Sequence, residues 1–317
     1  MTQTFSARQV AMILAVVIVA ATLPFIAPND FIIHTVCIAL VYAVLAASWD
    51  LLYGFAGLIS FGHAGFFGLG AYSAALFTTY LGLPAWFGPP VGAVAGALLG
   101  VAIGVPTLRL RGVYQALSTL AFSESLHVVA TNWYSVTRGT LGFNQHPTFF
   151  RMIGELHKSY YVMLATCSVC VAVIWWIARR SRMGMTFRAM RDDDIRARAL
   201  GINIVQQRVL VFTLSGLFAG LAGAIYAHYV GLVSPSELGP SLTILVIAMS
   251  TIGGVGTIIG PAVAAVVLYA LTELLHLAGT VYNQIAIGAL LIAFVLFLPD
   301  GIAGWFVRHG RRTPAKS

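Results

Sequence analysis

Residues 51–108 read LLYGFAGLISFGHAGFFGLGAYSAALFTTYLGLPAWFGPPVGAVAGALLGVAIGVPTL, 58 positions without a lysine, arginine, aspartate or glutamate. A soluble domain carries roughly one charged residue in four, so a run of this length belongs in hydrocarbon. About 20 apolar residues, coiled as a helix, cross the roughly 30 Å core of a bilayer. Outward from that stretch, residues 31–49 and 9–29 are also uncharged, and 238–299 carry only Glu273. Shorter tracts at 112–131, 159–178 and 209–230 complete the set. Of the 317 residues, 59% are hydrophobic and 9% charged, which excludes a soluble enzyme. The reading is an all-α polytopic membrane protein of about ten transmembrane helices.

The net charge of +8 is positional: eight of the eighteen basic residues lie between Arg179 and Arg208, and four more follow Pro299. Clustered arginine marks cytoplasmic loops, so the surplus reports topology and not nucleic-acid binding. Six helices (about 9–178) precede the 179–208 loop, four follow it (209–298), and 299–317 form a tail. Both termini then fall in the cytoplasm, as does the turn with Arg109 and Arg111. The 132–158 loop falls outside despite Arg138, Arg151 and Lys158. The chain thus reads as one transmembrane domain, 1–317, whose first segment is a retained helix without an A-x-A cleavage site. Cys37, Cys167 and Cys170 lie in apolar spans and read as small packing residues.

Glycine punctuates two apolar segments, GFAGLISFGHAGFFGLGAY (54–72) and IGGVGTIIGP (252–261). Gly54, Gly57 and Gly62 resemble Gly253, Gly256 and Gly260 in spacing, a weak internal repeat. Paired interruptions in the two halves of a transporter point to its translocation path, because broken backbone at membrane depth survives only beside a cavity or inside protein. Close helix packing is the other reading. Packing is the better account of Gly92, Gly96, Gly100 and Gly104, a stripe recurring every four residues with nothing polar beside it.

No P-loop, H-E-x-x-H or G-x-S-x-G motif occurs, and the only lysines are Lys158 and Lys316. The chain therefore binds no ATP through a P-loop. The loop tract MGMTFRAMRDDDIRARALGIN (183–203) has helical spacing: Phe187, Met190 and Ala197 share one face, while Arg188, Arg191, Asp192, Arg196 and Arg198 cover the others. Gly201 is placed to end that helix in the left-handed conformation. Such a helix suits a groove on a soluble partner; alternatively its arginines only set topology. Asp192, Asp193 and Asp194 fan out by about 100° each on a helix and do not converge on a metal. Intramembrane acids are functional candidates by default, and Glu124 with His127, and Glu273 with His276, form pairs three residues apart. Each pair serves either a pathway or the bundle's own stability. His63 sits inside the first glycine tract.

SWDLLYGFAGLISFGHAGFFGLGAYSAAL (48–76), RAMRDDDIRARALGIN (188–203) and STIGGVGTIIGP (250–261) together resemble the LivM-type permease of branched-chain amino acid ABC importers, over about residues 31–300. The wider group also carries urea, short amides and other amino acids. The resemblance implies that Gly54 through Gly70, with Gly57, Ser60, Gly62 and His63, and Gly253 through Gly260, with Gly254 and Gly256, surround the substrate path. It makes Arg188 through Ile202, including Leu200, the segment that touches an ATPase. The loop departs from the E-A-A motif of other importers, with Ile195, Arg196 and Ala197 before Gly201. Implied partners are a second, LivH-like permease, two ATP-binding subunits that carry ATP and Mg, and a substrate-binding protein outside a bacterial inner membrane. This chain itself holds no cofactor in that scheme. A proton-coupled transporter using Glu124 or Glu273 and a channel are the rival classes.

Overall fold

The computed structural model describes residues 22, 24, 29–108, 110, 112–144, 146–149 and 156–276, the last without its side chain. The expected first helix, Arg109, Arg111, Arg151, most of the last helix and the tail lie outside these residues. The described helices are α1 (Asp30–Asp50), α2 (His63–Tyr80), α3 (Gly88–Thr107), α4 (Val113–Asn132), α5 (Tyr134–Thr137) and α6 (Leu156–Arg179). They continue with α7 (Arg182–Asp192), α8 (Asp194–Ala199), α9 (Ile204–Val230), α10 (Pro240–Gly253) and α11 (Ile259–His276). A lone antiparallel bridge, Phe143 to Val233, is the β pairing among the described residues.

Four helices are long and apolar enough to cross a membrane: Asp30–Phe55, Ala85–Thr107, Leu156–Arg179 and Ile204–Val230. The others fall short for local reasons. Serine, threonine, glutamate and histidine dilute α4. With 14 residues, α10 covers only about 21 Å, because its chain breaks at Gly254.

Helix α9 is the axis, with α3, α2 and α1 packed around it. A Cβ on Gly92, Gly96 or Gly100 of α3 would run into the backbone of α9 at Gly220, Gly216 and Phe212 respectively. Contacts that step back four residues on one helix as they step forward four on the other describe an antiparallel pair in near-backbone contact, the geometry small-xxx-small stripes produce. Helix α1 lies deepest, buried from Val41 through Leu52.

Candidate functional site

Helix α1 does not end cleanly. It loosens into a π turn at Leu51–Phe55, and the chain then lies outside any helix until His63. Buried irregular backbone must find partners elsewhere, and here side chains supply them. Trp49 Nε1 donates to the Ser60 carbonyl (2.9 Å), Thr119 Oγ1 accepts from Phe61 N (2.9 Å), and Ser60 Oγ accepts from Gly62 N (3.2 Å). Thr243 Oγ1 of α10 accepts from Ala64 N at 3.0 Å. His63 is fully buried, with Nε2 3.1 Å from Ser215 Oγ and 3.4 Å from Ser48 Oγ.

The second break joins α10 to α11. Gly254 and Gly256 have φ of 101° and 81°, and Ile258 has φ 62°. A β-branched residue at positive φ is an outlier that costs on the order of 1–3 kcal/mol. What holds it is Asp50, the last residue of α1. Its fully buried carboxylate accepts from Gly256 N (2.6 Å) and from Ile258 N (2.8 Å). A Cβ on Gly54 would overlap both Asp50 and the Gly256 backbone, so the two breaks touch. Gly253 and Gly260 are in backbone contact across the same turn.

The basic loop grips this junction. Arg191 of α7 donates to the Gly54 carbonyl, and Arg179, at the end of α6, donates to the Gly256 carbonyl at 3.1 Å. The Arg179 guanidinium also lies 5.6 Å from the centroid of the Phe55 ring. Gly57, at φ 71°, leaves room for the Arg191 stem, which a Cβ would meet at 2.7 Å.

The loop is two helices, where its spacing predicts one. Asp193 is extended (φ −163°) and caps α8, accepting from Ile195 N at 2.9 Å and Arg196 N at 3.1 Å. Those donors hold its carboxyl below the ordinary aspartate range. The cap is therefore complete above that range and lost as pH falls through the depressed pKa. The protection of the α8 amides, measured against their intrinsic exchange rate at each pH, is expected to fall on acidification and in Asp193→Ala at neutral pH. The three acids go separate ways, Asp192 to Arg191 at 3.5 Å and Asp194 to Arg208. Gly201 ends α8 at φ 82°, with Ile202 N bonded to the Ala197 carbonyl. Phe187, Met190 and Ala197 are buried in the chain's own core. The face turned away from the bundle instead shows Met183, Met185, Ile195 and Leu200, with Arg196 and Arg198 beside them.

The sequence-predicted residues thus divide. Gly54, Gly57 and Gly256 meet at the junction, while Ser60, Gly62 and His63 lie deeper, against α4 and α9. Glu124 and His127 pair at 3.3 Å on the outer surface of α4, at 47% and 31% side-chain exposure. Glu273 is half-buried on α11; the side chain of His276 is not among those described. Asp50 and Arg179 are the functional candidates that motif reading misses.

Residues 31–295 match the model of the family described as branched-chain amino acid transport system / permease component. The chain belongs to this family. It is 28% identical to the high-affinity branched-chain amino acid transport system permease protein LivM of Escherichia coli (strain K12), over 93% of this chain and 75% of that one. It is 25% identical to LivH of the same strain, over 83% of this chain and 91% of that one. The ribose import permease protein RbsC of Haemophilus influenzae (strain ATCC 51907 / DSM 11121 / KW20 / Rd) is 26% identical over 85% and 81%. This LivM-type permease is thus a multi-helix membrane component whose two helix breaks and basic loop are built into one junction.

Proposed function

We propose that this permease is the membrane-spanning subunit of an ATP-driven ABC importer that moves branched-chain or related small amino acids inward by alternating access. Its partners are a LivH-like second permease, two subunits that bind ATP and Mg, and a substrate-binding protein outside a bacterial inner membrane, with both termini and the 179–208 loop cytoplasmic and about ten spans in all. The observation that carries this reading is the junction: Arg191 and Arg179 are bonded to the carbonyls of both helix breaks. A displacement of α7 imposed by a soluble motor therefore reaches Gly54 directly through Arg191, and one that also moves the end of α6 reaches Gly256 through Arg179. No chemistry on the cargo is needed. The motor only has to favour a conformation that cargo alone does not.

Ile195 and Leu200 are 78% and 79% exposed on the loop face, an apolar pair flanked by arginines and suited to a partner's groove. Ile195→Glu with Leu200→Glu is expected to weaken co-purification of the ATP-binding subunits at least tenfold while the permease inserts normally. Unchanged association would place the ATPase contact elsewhere. The function itself is tested in proteoliposomes. The assembled complex is expected to take up leucine only with ATP, and uptake by this chain alone, driven by a pH gradient, would overturn the importer reading.

A further inference from the structure

On the opposite side of the bundle from the basic loop, four helices and a turn bring together aromatic rings around one acid. Tyr42 of α1 stacks on Tyr269 of α11, with centroids 4.9 Å apart and planes at 21°. It also lies 6.2 Å from Phe67 of α2, whose ring is 5.4 Å from Tyr226 of α9. Tyr226 donates its hydroxyl to Glu237 Oε1 at 3.3 Å, long for an O–H···O bond. Glu237 belongs to the turn Pro235–Leu238 between α9 and α10, and Leu238 beside it packs in one buried cluster with Tyr72 of α2.

Two features set this cluster apart from ordinary packing. Tyr72 is 5% exposed, yet its hydroxyl has no hydrogen-bond partner, and a buried hydroxyl left unpaired is destabilising. Glu237 is a half-buried acid bonded to the Tyr226 hydroxyl, and from the Tyr226 ring an unbroken run of ring contacts leads through Phe67 and Tyr42 to Tyr269. Ring faces and carboxylates share one complement, a cation. A hard metal ion wants six to eight oxygen ligands, whereas an alkylammonium wants ring faces, one carboxylate and a hydroxyl. The cluster also lies next to the first break, since Phe67 is four residues, about one helical turn, beyond His63.

We propose that Tyr42, Phe67, Tyr72, Tyr226, Tyr269 and Glu237 form a recognition site for the ammonium group of an aliphatic amine, which in the importer reading is the amino end of the cargo. The link to cargo rests on the importer reading; the amine site does not. The ring faces take the cation, Glu237 balances its charge, and the Tyr72 hydroxyl oxygen accepts a hydrogen bond from one of its N–H groups.

The test uses the full chain in lipid nanodiscs and three probes, leucine, isopentylamine and 4-methylpentanoate, with binding followed by saturation-transfer NMR. Leucine and isopentylamine are expected to bind and to compete, and 4-methylpentanoate, which lacks the ammonium, to bind at least tenfold more weakly. Glu237→Gln is expected to raise the Kd for isopentylamine tenfold or more. Tyr269→Leu is expected to raise it several-fold, with Tyr269→Phe restoring it, since the ring face and not the hydroxyl is what Tyr269 supplies. Equal binding of 4-methylpentanoate, wild-type affinity in both Glu237→Gln and Tyr269→Leu, or no binding of any probe to the wild type would each overturn the proposal. Amine binding without ATP-driven uptake by the complex would remove the importer reading and leave this site standing.

Discussion

Asp50→Ala is expected to abolish transport and to lower the stability of the detergent-solubilised permease by about 3–5 kcal/mol, the range for stripping one partner from a buried charged interaction. The carboxylate is fully buried and accepts two backbone N–H groups, those of Gly256 and Ile258. Each hydrogen bond to a charged group contributes about 1.5–3 kcal/mol, and the orphaned donors keep their desolvation cost when the acceptor goes. The Ile258 backbone, held at φ 62°, then loses what keeps it there. Asp50→Asn separates shape from charge. An amide has one oxygen to offer two donors, so stability is expected to fall about halfway and uptake to persist at a reduced rate. Thermal unfolding and uptake by the assembled complex measure the two effects. Wild-type uptake by Asp50→Ala would show that the junction is not needed for the transport cycle.

Asp50 also shows what the sequence hides. It reads as the boundary between two apolar tracts, since nothing nearby accounts for it; its partners lie 206 and 208 residues further along the chain. The glycine breaks themselves are legible, because glycine clustered inside an apolar run weakens the helix that the run would otherwise form. Their mutual contact is not legible, because the packing of α1 against α10 and α11 is what brings it about. Gly201 is legible because a left-handed stop is a local matter. The split of the loop helix turns on whether Asp193 takes a helical or a capping conformation, and its sequence neighbours permit either. Phe187 and Met190 are correctly grouped on one face, yet periodicity cannot say whether that face meets a partner or the chain's own core, where it lies. The aromatic cluster draws its rings from four separate helices and its acid from a turn, and no spacing in one segment announces it.

The seam between α3 and α9 gives the other large effect: Gly220→Leu is expected to prevent folding, and Gly96→Ala to destabilise by about 1–3 kcal/mol, the usual cost of overpacking. Alanine in place of glycine normally stabilises a helix interior by about 1 kcal/mol, so the sign of this prediction depends wholly on the neighbour. At Gly96 the new methyl would overlap the Gly216 carbonyl, and at Gly220 it would overlap the Gly92 carbonyl and lie 2.9 Å from Gly96 Cα. These are backbone atoms, which no rotamer change moves, so the helices would have to separate. Separation would carry α2 with it, because Gly70 also rests against Gly220. Gly104 is the internal control. It belongs to the same four-residue stripe, but its Cβ would meet Phe212 Cβ at 3.3 Å and Val209 Cα at 3.4 Å, a contact that a small shift relieves. Gly104→Ala is therefore expected to be neutral or slightly stabilising where Gly96→Ala is harmful. Thermal unfolding of the two variants side by side decides the matter, and equal effects at both positions would mean that helix propensity, not backbone approach, governs the stripe.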